Sequence, residues 1–332
     1  MYETIITHND LDGVASAALC SKAFGVNRVF FTGPVDVQQA RVTITRRDIV
    51  CDLPYPVECA LWFDHHLGNL ADLEHRGVDP AAIPGRFAPE RSCARVVLDY
   101  LRAEGRDLPG HFGPLVDAVD VVDSFDYASV EEWRAETPAH VVANAMKAPF
   151  RSPAERNRFF RNLVYGLRDR GLEATAEGAE VRRRYAQYLA EEERMFRLLR
   201  QDTRPYDGQG DVVVVDLTRH KRRPFVWKNL AQVLFPEARA VLSVETAFRG
   251  GRKTNDLSFS MSLTIRQNRT GEPKDVGEIM RTLNIGDGHP GAGAGRVVCR
   301  SKEEMLRTKQ EMIDRIVALW RAQGRGEEGG PG

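Results

Sequence analysis

Neither sign of charge is in excess in this chain: 47 Lys and Arg residues face 47 Asp and Glu residues, a formal net charge of +0. A protein that coats long nucleic acid draws its affinity from neutralising phosphates. The balance therefore argues against a long duplex partner while allowing a local basic cleft. Cysteine is sparse as well. The five residues Cys20, Cys51, Cys59, Cys93 and Cys299 are scattered and form no CxxC pair, the pattern of reduced thiols in a cytoplasmic protein. No uncharged stretch approaches the ~18 residues of a membrane span, and Met1 to Thr7 holds no basic segment leading into an apolar one. The expectation is a soluble, cytoplasmic chain with no membrane partner and no visible export signal. There is no internal repeat, and residues 323–332, rich in Gly and Glu, are expected to be a disordered tail.

What is present is enough apolar material, 42% of 332 residues, to bury a sizeable core in two domains. Short runs that are apolar throughout, Thr4 to Thr7, Arg28 to Thr32, Asp48 to Asp52 and Ala60 to Asp64, read as strands. Gly13 to Phe24 and Cys93 to Arg102 read as helices, the latter N-capped by Ser92. Apolar strands separated by helices predict a parallel sheet covered on both faces. Helical patterns follow over Pro114 to Asp123, Pro138 to Lys147 and Pro153 to Arg168, then a long charged helix over Glu173 to Gln201. The boundary is expected at the Pro- and Gly-bearing stretch 201–210, which leaves domains at 1–200 and 211–322. The second should hold a strand at Val212 to Val215, a helix from about Phe225 to Phe235, and strands Arg239 to Glu245 and Asp256 to Ile265. A helix Asp275 to Leu283, a glycine-rich loop and a final helix Ser301 to Ala322 complete it.

The chemistry-bearing residues of the first domain stand where elements end. His8-Asn9-Asp10-Leu11-Asp12-Gly13 separates a strand from a helix. Asp10 and Asp12, two apart, share a side in extended geometry, and Gly13 permits a sharp turn. Asp52 ends the next run, Asp64-His65-His66 the one after, and Asp117, Asp120 and Asp123 lie on a predicted helix. A calcium loop would continue DxDxDG, and Gly13-Val14-Ala15-Ser16 breaks that pattern. In an open α/β sheet, residues that end separate strands converge on one crevice. Carboxylates gathered there repel one another, and two divalent ions relieve the repulsion; Asp52 or Asp123 would serve as the bridge. Carboxylate with imidazole suits borderline ions such as Mn²⁺, Fe²⁺ or Zn²⁺.

In the second domain Asn284 to Arg296 is dense in glycine and exposes backbone N–H groups that favour a phosphate; His289 and Arg296 would add hydrogen bonds. Gly286 to Gly291 matches GxGxxG, yet it follows a predicted helix and contains Pro290, so a dinucleotide fingerprint is rejected. His220-Lys221-Arg222-Arg223 reads equally as a grip for a polyanion and as a solvated turn.

Taken in order, Asp10-Leu11-Asp12, Asp52, Asp64-His65-His66 and an Asp at 120 or 123 resemble the motifs of the DHH phosphoesterase superfamily. The resemblance is to the type with a DHH-associated C-terminal domain: nanoRNases, phosphoadenosine-phosphate phosphatases, cyclic dinucleotide phosphodiesterases, RecJ exonucleases and exopolyphosphatase-like proteins. Ser262 to Arg266 resembles the family's strand with a substrate-facing Arg, and Gly286-Asp287-Gly288-His289 its GGGH loop. The resemblance spans roughly residues 1 to 320. It implies a two-domain α/β fold, a parallel-sheet N-terminal DHH domain and a smaller mixed-sheet C-terminal domain. It also implies metal ligands among His8, Asp10, Asp12, Asp52, Asp64, His65, Asp120 and Asp123, and catalytic roles for Asp64, His65 and His66. Two Mn²⁺ ions, with Mg²⁺ or Co²⁺ as substitutes, are the implied cofactors, and substrate would be held by Arg266, Gly286, Gly288, His289 and Arg296. The expected substrate is small and phosphorylated: a short oligonucleotide, a nucleotide or polyphosphate. An exopolyphosphatase and an inactive binding or regulatory module are the alternatives, and a homo-oligomer is compatible with either.

The chain departs from the family pattern in places. Ile6 stands where many members carry a motif I His, leaving His8 as the substitute, and Asp287 replaces a glycine of GGGH. Asp123-Ser124 fits one form of the fourth motif and Asp120-Val121-Val122 another; Asp123 is preferred.

Overall fold

A computed structural model of the chain describes residues 1–324. From residue 325 on, the expected tail lies outside the described residues. Gln323 belongs to the fold, because its side chain bonds both backbone groups of Asp275. In chain order the first elements are β1 (Thr4–Thr7), α1 (Leu11–Phe24), β2 (Val29–Phe31), α2 (Pro34–Gln38), β3 (Asp48–Cys51), β4 (Leu61–Asp64), α3 (Leu67–His75), β5 (Gly85–Phe87), α4 (Cys93–Ala103) and α5 (Phe112–Ser124). Helices α6 (Val130–Arg134), α7 (Pro138–Lys147), α8 (Pro153–Ala176) and α9 (Ala179–Asp202) follow. Then come β6 (Thr203–Pro205), β7 (Val212–Asp216), α10 (Ala231–Leu234), β8 (Ala240–Arg249), β9 (Arg252–Leu263), α11 (Ile265–Asn268), α12 (Val276–Thr282), β10 (Gly286–His289), β11 (Ala292–Val297) and α13 (Lys302–Ala322). Two compact units result, Met1–Asp126 with Ala135–Ala190, and Tyr127–Arg134 with the chain from Glu191 on. The division falls within α9, and part of the stretch expected as a linker is strand β6.

The first unit is built on a five-stranded parallel sheet of order β2-β1-β3-β4-β5. β1, β3 and β4 are buried along their whole length because successive side chains enter different cores. Ile5, Ile49, Leu61 and Phe63 join the core built with α1, α4, α5, α7 and α8, while Ile6, Val50 and Trp62 join Leu73 and Ile83 on the opposite face. Chain order turns back on itself at β1 and β3, the switch point of such a sheet, where a crevice opens beyond the strands' carboxyl ends. Gly13 keeps this corner tight, since a Cβ there would lie 2.4 Å from the carbonyl oxygen of His8.

The second unit carries a six-stranded sheet of order β10-β11-β9-β8-β7-β6, parallel only between β7 and β8. The alternating Leu257, Phe259 and Met261 of β9 pack with α12 and α13, while Val213, Val215 and Val241 face Met195, Phe196 and Leu199 of α9. The glycine-rich stretch is a β-hairpin rather than a loop. Its glycines allow close approach: a Cβ at Gly288 would lie 2.3 Å from the Ala292 oxygen, and one at Gly277 of α12 would lie 2.3 Å from the Gly288 oxygen. The helix expected from Phe225 shrinks to a 3-10 turn, Lys228–Leu230, running into α10. No helix among the described residues is long and apolar enough to cross a membrane.

Candidate metal centre

The crevice beyond β1, β3 and β4 gathers the side chains that end those strands. Just past β1, Asp10 caps α1 by accepting the Gly13 amide through Oδ1 at 2.9 Å. Its Oδ2 lies 2.6 Å from Nδ1 of His8. Past β3, Asp52 adopts a left-handed backbone, φ 57°, a sparsely populated conformation for a side chain-bearing residue that clusters at functional sites. It is buried, with Oδ2 3.4 Å from His8 Nδ1. His8, Asp10 and Asp52 thus form one group able to hold an ion, Asp12, His65 and Asp123 form another, and Asp52, His65 and His66 form a third that shares a residue with each. Asp52 adjoins the first two, its Oδ1 lying 3.8 Å from His65 Nε2.

Several of the cluster's side chains are fixed by specific contacts. Asp12, on α1, is buried against the first turn of α4, where the amides of Cys93 and Ala94 both donate to its carboxylate at 2.7 Å, an interaction that the helix N-terminus favours. His65 Nδ1 sits 3.0 Å from the Glu90 carbonyl oxygen. A carbonyl only accepts, so Nδ1 carries the proton and Nε2 keeps its lone pair. That Nε2 lies 3.4 Å from Asp123 and 3.7 Å from Asp12. His66 Nδ1 is 2.9 Å from Oδ1 of the fully buried Asp64, whose Oδ2 accepts from Asn69 at 2.7 Å.

The electrostatics describe a cluster short of positive charge. Burial, then the charge of Asp10, pushes Asp12 up to about 7 against the pull of its two amides. Burial, then Asp12 and Asp10, pushes Asp123 up to about 9, and Asp52 is driven well up by burial and by Asp10, Asp12 and Asp123. Burial lowers His65, with His66 adding to it, which keeps the imidazole neutral. For His66 burial is again the largest effect and opposes the charge, but the hydrogen bond to Asp64 together with the charges of Asp64, Asp12 and Asp10 outweighs it and the pKa rises. Two buried atoms in this cluster, Asp52 Oδ2 and His65 Nε2, have no hydrogen-bond partner. A dense set of carboxylate oxygens with a neutral imidazole and two orphaned donor atoms fits divalent ions of the borderline class.

Of the residues singled out from sequence, His8, Asp10, Asp12, Asp52, His65, His66 and Asp123 come together. Asp64 and Asp120 do not join those groups. Both oxygens of Asp64 are engaged by His66 and Asn69. Asp120 accepts from Ser92 at 2.6 Å and from Arg95 Nε at 2.9 Å, so it ties α5 to α4. Sequence reasoning missed Asn69 and the Glu90 carbonyl; Asn69, one helical turn after the tripeptide, was the legible signal. In the second unit Arg266 lies on α11, not on a strand, and pairs with Glu237 at 2.7 Å. His289 is exposed on β10 with Nδ1 accepting the Gly291 amide at 3.2 Å. Arg296 pairs with Asp256 at 2.8 Å, and Asp287 with Arg281 at 2.6 Å.

No family model and no curated protein sequence matches the chain. Solved structures do. The pGpG-specific phosphodiesterase PggH from Vibrio cholerae superposes with a TM-score of 0.71 at 22% identity, over 96% of this chain and 99% of that one. A DHH-domain protein described as a member of the s1p family of ribosomal proteins superposes at 0.53 and 10% identity, over 96% and 86%. The chain has the DHH fold. RecJ from Thermus thermophilus, solved with Mn²⁺, shares the DHH fold at a TM-score of 0.54 and 15% identity, over 96% of this chain and 52% of its own.

Proposed function

We propose that this DHH-fold chain is a divalent-metal-dependent phosphodiesterase acting on small nucleotides or short oligonucleotides. The observation that carries the reading is the pair of groups, His8-Asp10-Asp52 and Asp12-His65-Asp123, with Asp52 adjoining both and two donor atoms left without partners. In this reading each group would hold one ion and Asp52 adjoins both, His8 would take the position that Ile6 leaves vacant, and Asp123 rather than Asp120 would be the fourth-motif ligand. Mn²⁺ is the assigned ion, with Mg²⁺ or Co²⁺ as substitutes; a RecJ neighbour solved with Mn²⁺ supports that assignment. When bound, such ions neutralise the carboxylates, polarise a phosphoryl oxygen and make a water nucleophilic near neutral pH.

The chain's own residues do the rest. Glu90 holds His65 in the tautomer that offers Nε2. His66 is half exposed, with a side-chain accessibility of 51%, and its bond to Asp64 favours the protonated form, in which Nε2 would give a proton to the departing oxygen. Asp64 is a positioning residue, locked by Asn69. For the second unit the reading assigns a grip on the substrate phosphate to Arg266, His289, Arg296 and the backbone at Gly286 and Gly288. Arg266 and Arg296 would then exchange Glu237 and Asp256 for phosphate.

The test is hydrolysis by metal-stripped protein, with and without Mn²⁺, of linear dinucleotides, 3′,5′-bisphosphate nucleotides, cyclic dinucleotides and polyphosphate. Mn²⁺-dependent release from linear dinucleotides is expected, and no Mn²⁺-dependent release from any of them defeats the proposal.

A further inference from the structure

At the amino ends of the first unit's strands lies a cavity of about 730 Å³, within the size range of small-ligand sites. Thr4 opens β1 and Asp48 opens β3 on its wall, Phe30 comes from β2, and Arg161 from α8. The metal centre is elsewhere. β1 is four residues long, about 13 Å of strand, and His8 and Asp52 follow the far ends of β1 and β3.

The charges on the wall point to an anion. Arg28, Arg41 and Arg161 all line the cavity, and among the described residues neither Arg28 nor Arg161 has an ion-pair partner. Arg41 pairs with Asp36 at 3.3 Å, both side chains exposed, a bridge of little worth that a stronger anion displaces. The two carboxylates on the wall are already engaged: Glu3 pairs with Arg47, and Asp48 accepts from the Thr45 amide at 2.8 Å and its hydroxyl at 2.9 Å. Guanidinium forks match phosphate oxygens in geometry as well as in charge.

The aromatic residue on the wall narrows the class. β2 is an edge strand, and its burial alternates, with Val29 and Phe31 in the core and Phe30 between them 44% exposed. Phe30 pairs in register with Ile6, and no ring stacks on it among the described residues. A lone exposed phenylalanine is ordinary on a protein surface. One that lines a cavity beside two unpaired arginines supplies a π-face where a base can lie while its phosphate is held.

We propose that this cavity binds a nucleoside monophosphate, with Arg28 and Arg161 pairing its phosphate and Phe30 stacking on its base. The site is a second one, apart from the candidate metal centre, and it does not rest on the proposed function.

The experiment is titration calorimetry of full-length protein in chelator with adenosine 5′-monophosphate, and separately with inorganic phosphate and with adenosine. One saturable site is expected, tighter for the nucleotide than for either half. Arg28→Gln and Arg161→Gln should each weaken the nucleotide about 10-fold or more, the worth of a charge-assisted hydrogen bond. Phe30→Ala should weaken it about 10-fold, in the range of one stacked base, and leave inorganic phosphate unchanged; Phe30→Tyr should bind as wild type. Arg266→Ala, which would remove a nucleotide held by the second unit, should leave this binding intact. No saturable binding, glutamine variants that bind as wild type, phosphate as tight as the nucleotide, or loss in Arg266→Ala overturns the inference. So does a dimer in sedimentation that Phe30→Ala dissolves, because Phe30 would then face a second copy. Mn²⁺-dependent hydrolysis of bis(p-nitrophenyl) phosphate should be equal in Arg28→Gln and wild type. A lower rate in the variant would place the cavity in the hydrolytic site and overturn the inference, whereas no hydrolysis by wild type counts against the proposed function alone.

Discussion

The metal-free protein should lose stability as pH rises, and bound Mn²⁺ should restore it. Asp123 has its pKa raised from 3.8 to about 9 by burial and by Asp12 and Asp10. An acid whose folded pKa exceeds its unfolded value binds more protons when folded, so stability is complete below about 4 and falls through the window up to about 9. Between pH 5 and 8 one such proton is worth at most about 4 kcal/mol, at 1.36 kcal/mol per unit. Asp123 keeps 25% of its side chain exposed, and screening there leaves about 2 kcal/mol. For a unit of this size that is a fall in Tm of about 4 to 8 °C. Mn²⁺ at about 100 times its Kd should add about 2.7 kcal/mol and reverse the fall. Scanning calorimetry of chelated and Mn²⁺-loaded protein at pH 5, 6.5 and 8 reads both effects, and Asp123→Asn should flatten the first and weaken the second. A chelated protein whose Tm is level or rising from pH 5 to 8 refutes the reasoning.

Asp120→Ala should leave Mn²⁺ affinity within threefold of wild type by titration calorimetry, yet cost about 3 kcal/mol because Arg95 and Ser92 lose a buried partner. His65→Gln should weaken Mn²⁺ by at least about 10-fold, whereas Asp64→Asn should lower kcat about 10- to 100-fold, because its partner His66 loses its orientation; equal losses of Mn²⁺ in both would make Asp64 a ligand. Arg266→Ala and His289→Ala should raise KM for a linear dinucleotide while leaving Mn²⁺ affinity unchanged, and a KM equal to wild type removes those residues from the substrate grip. Gly288→Ala should destabilise the second unit by about 2 kcal/mol or more, since its Cβ would meet the Ala292 oxygen at 2.3 Å; a denaturation midpoint matching wild type would show that the hairpin yields.

Much of the candidate site was legible because strand ends and side chain-bearing motifs coincide in sequence. The all-apolar runs around Ile5, Ile49 and Phe63 announced a sheet covered on both faces, and Asp10, Asp12, Asp52 and His65 stood at its ends. Asp120 and Asp123 could not be told apart from spacing, because three residues is nearly one helical turn; what separates them is Arg95 on α4, which claims Asp120. Asp64 looked like a ligand as the first letter of the tripeptide, yet β4 buries it and turns its oxygens to His66 and Asn69. The β10–β11 hairpin was unreadable as a strand pair because glycine has low strand propensity, and its glycines answer to packing on α12. Arg266 fell off its expected strand because Thr264 caps a turn of helix by accepting the Gln267 amide at 3.3 Å.

The left-handed backbone of Asp52 also sets which letters descent can write at that position. Gly, Asn and Asp enter φ near 57° at the least cost, and of those three only Asp brings a charge. A lineage that abandoned catalysis would therefore drift at this site to Asn or Gly, not to the Ala or Ser that neutral change usually leaves behind. That single column, read across related sequences, would separate working hydrolases from binding descendants before any protein is purified.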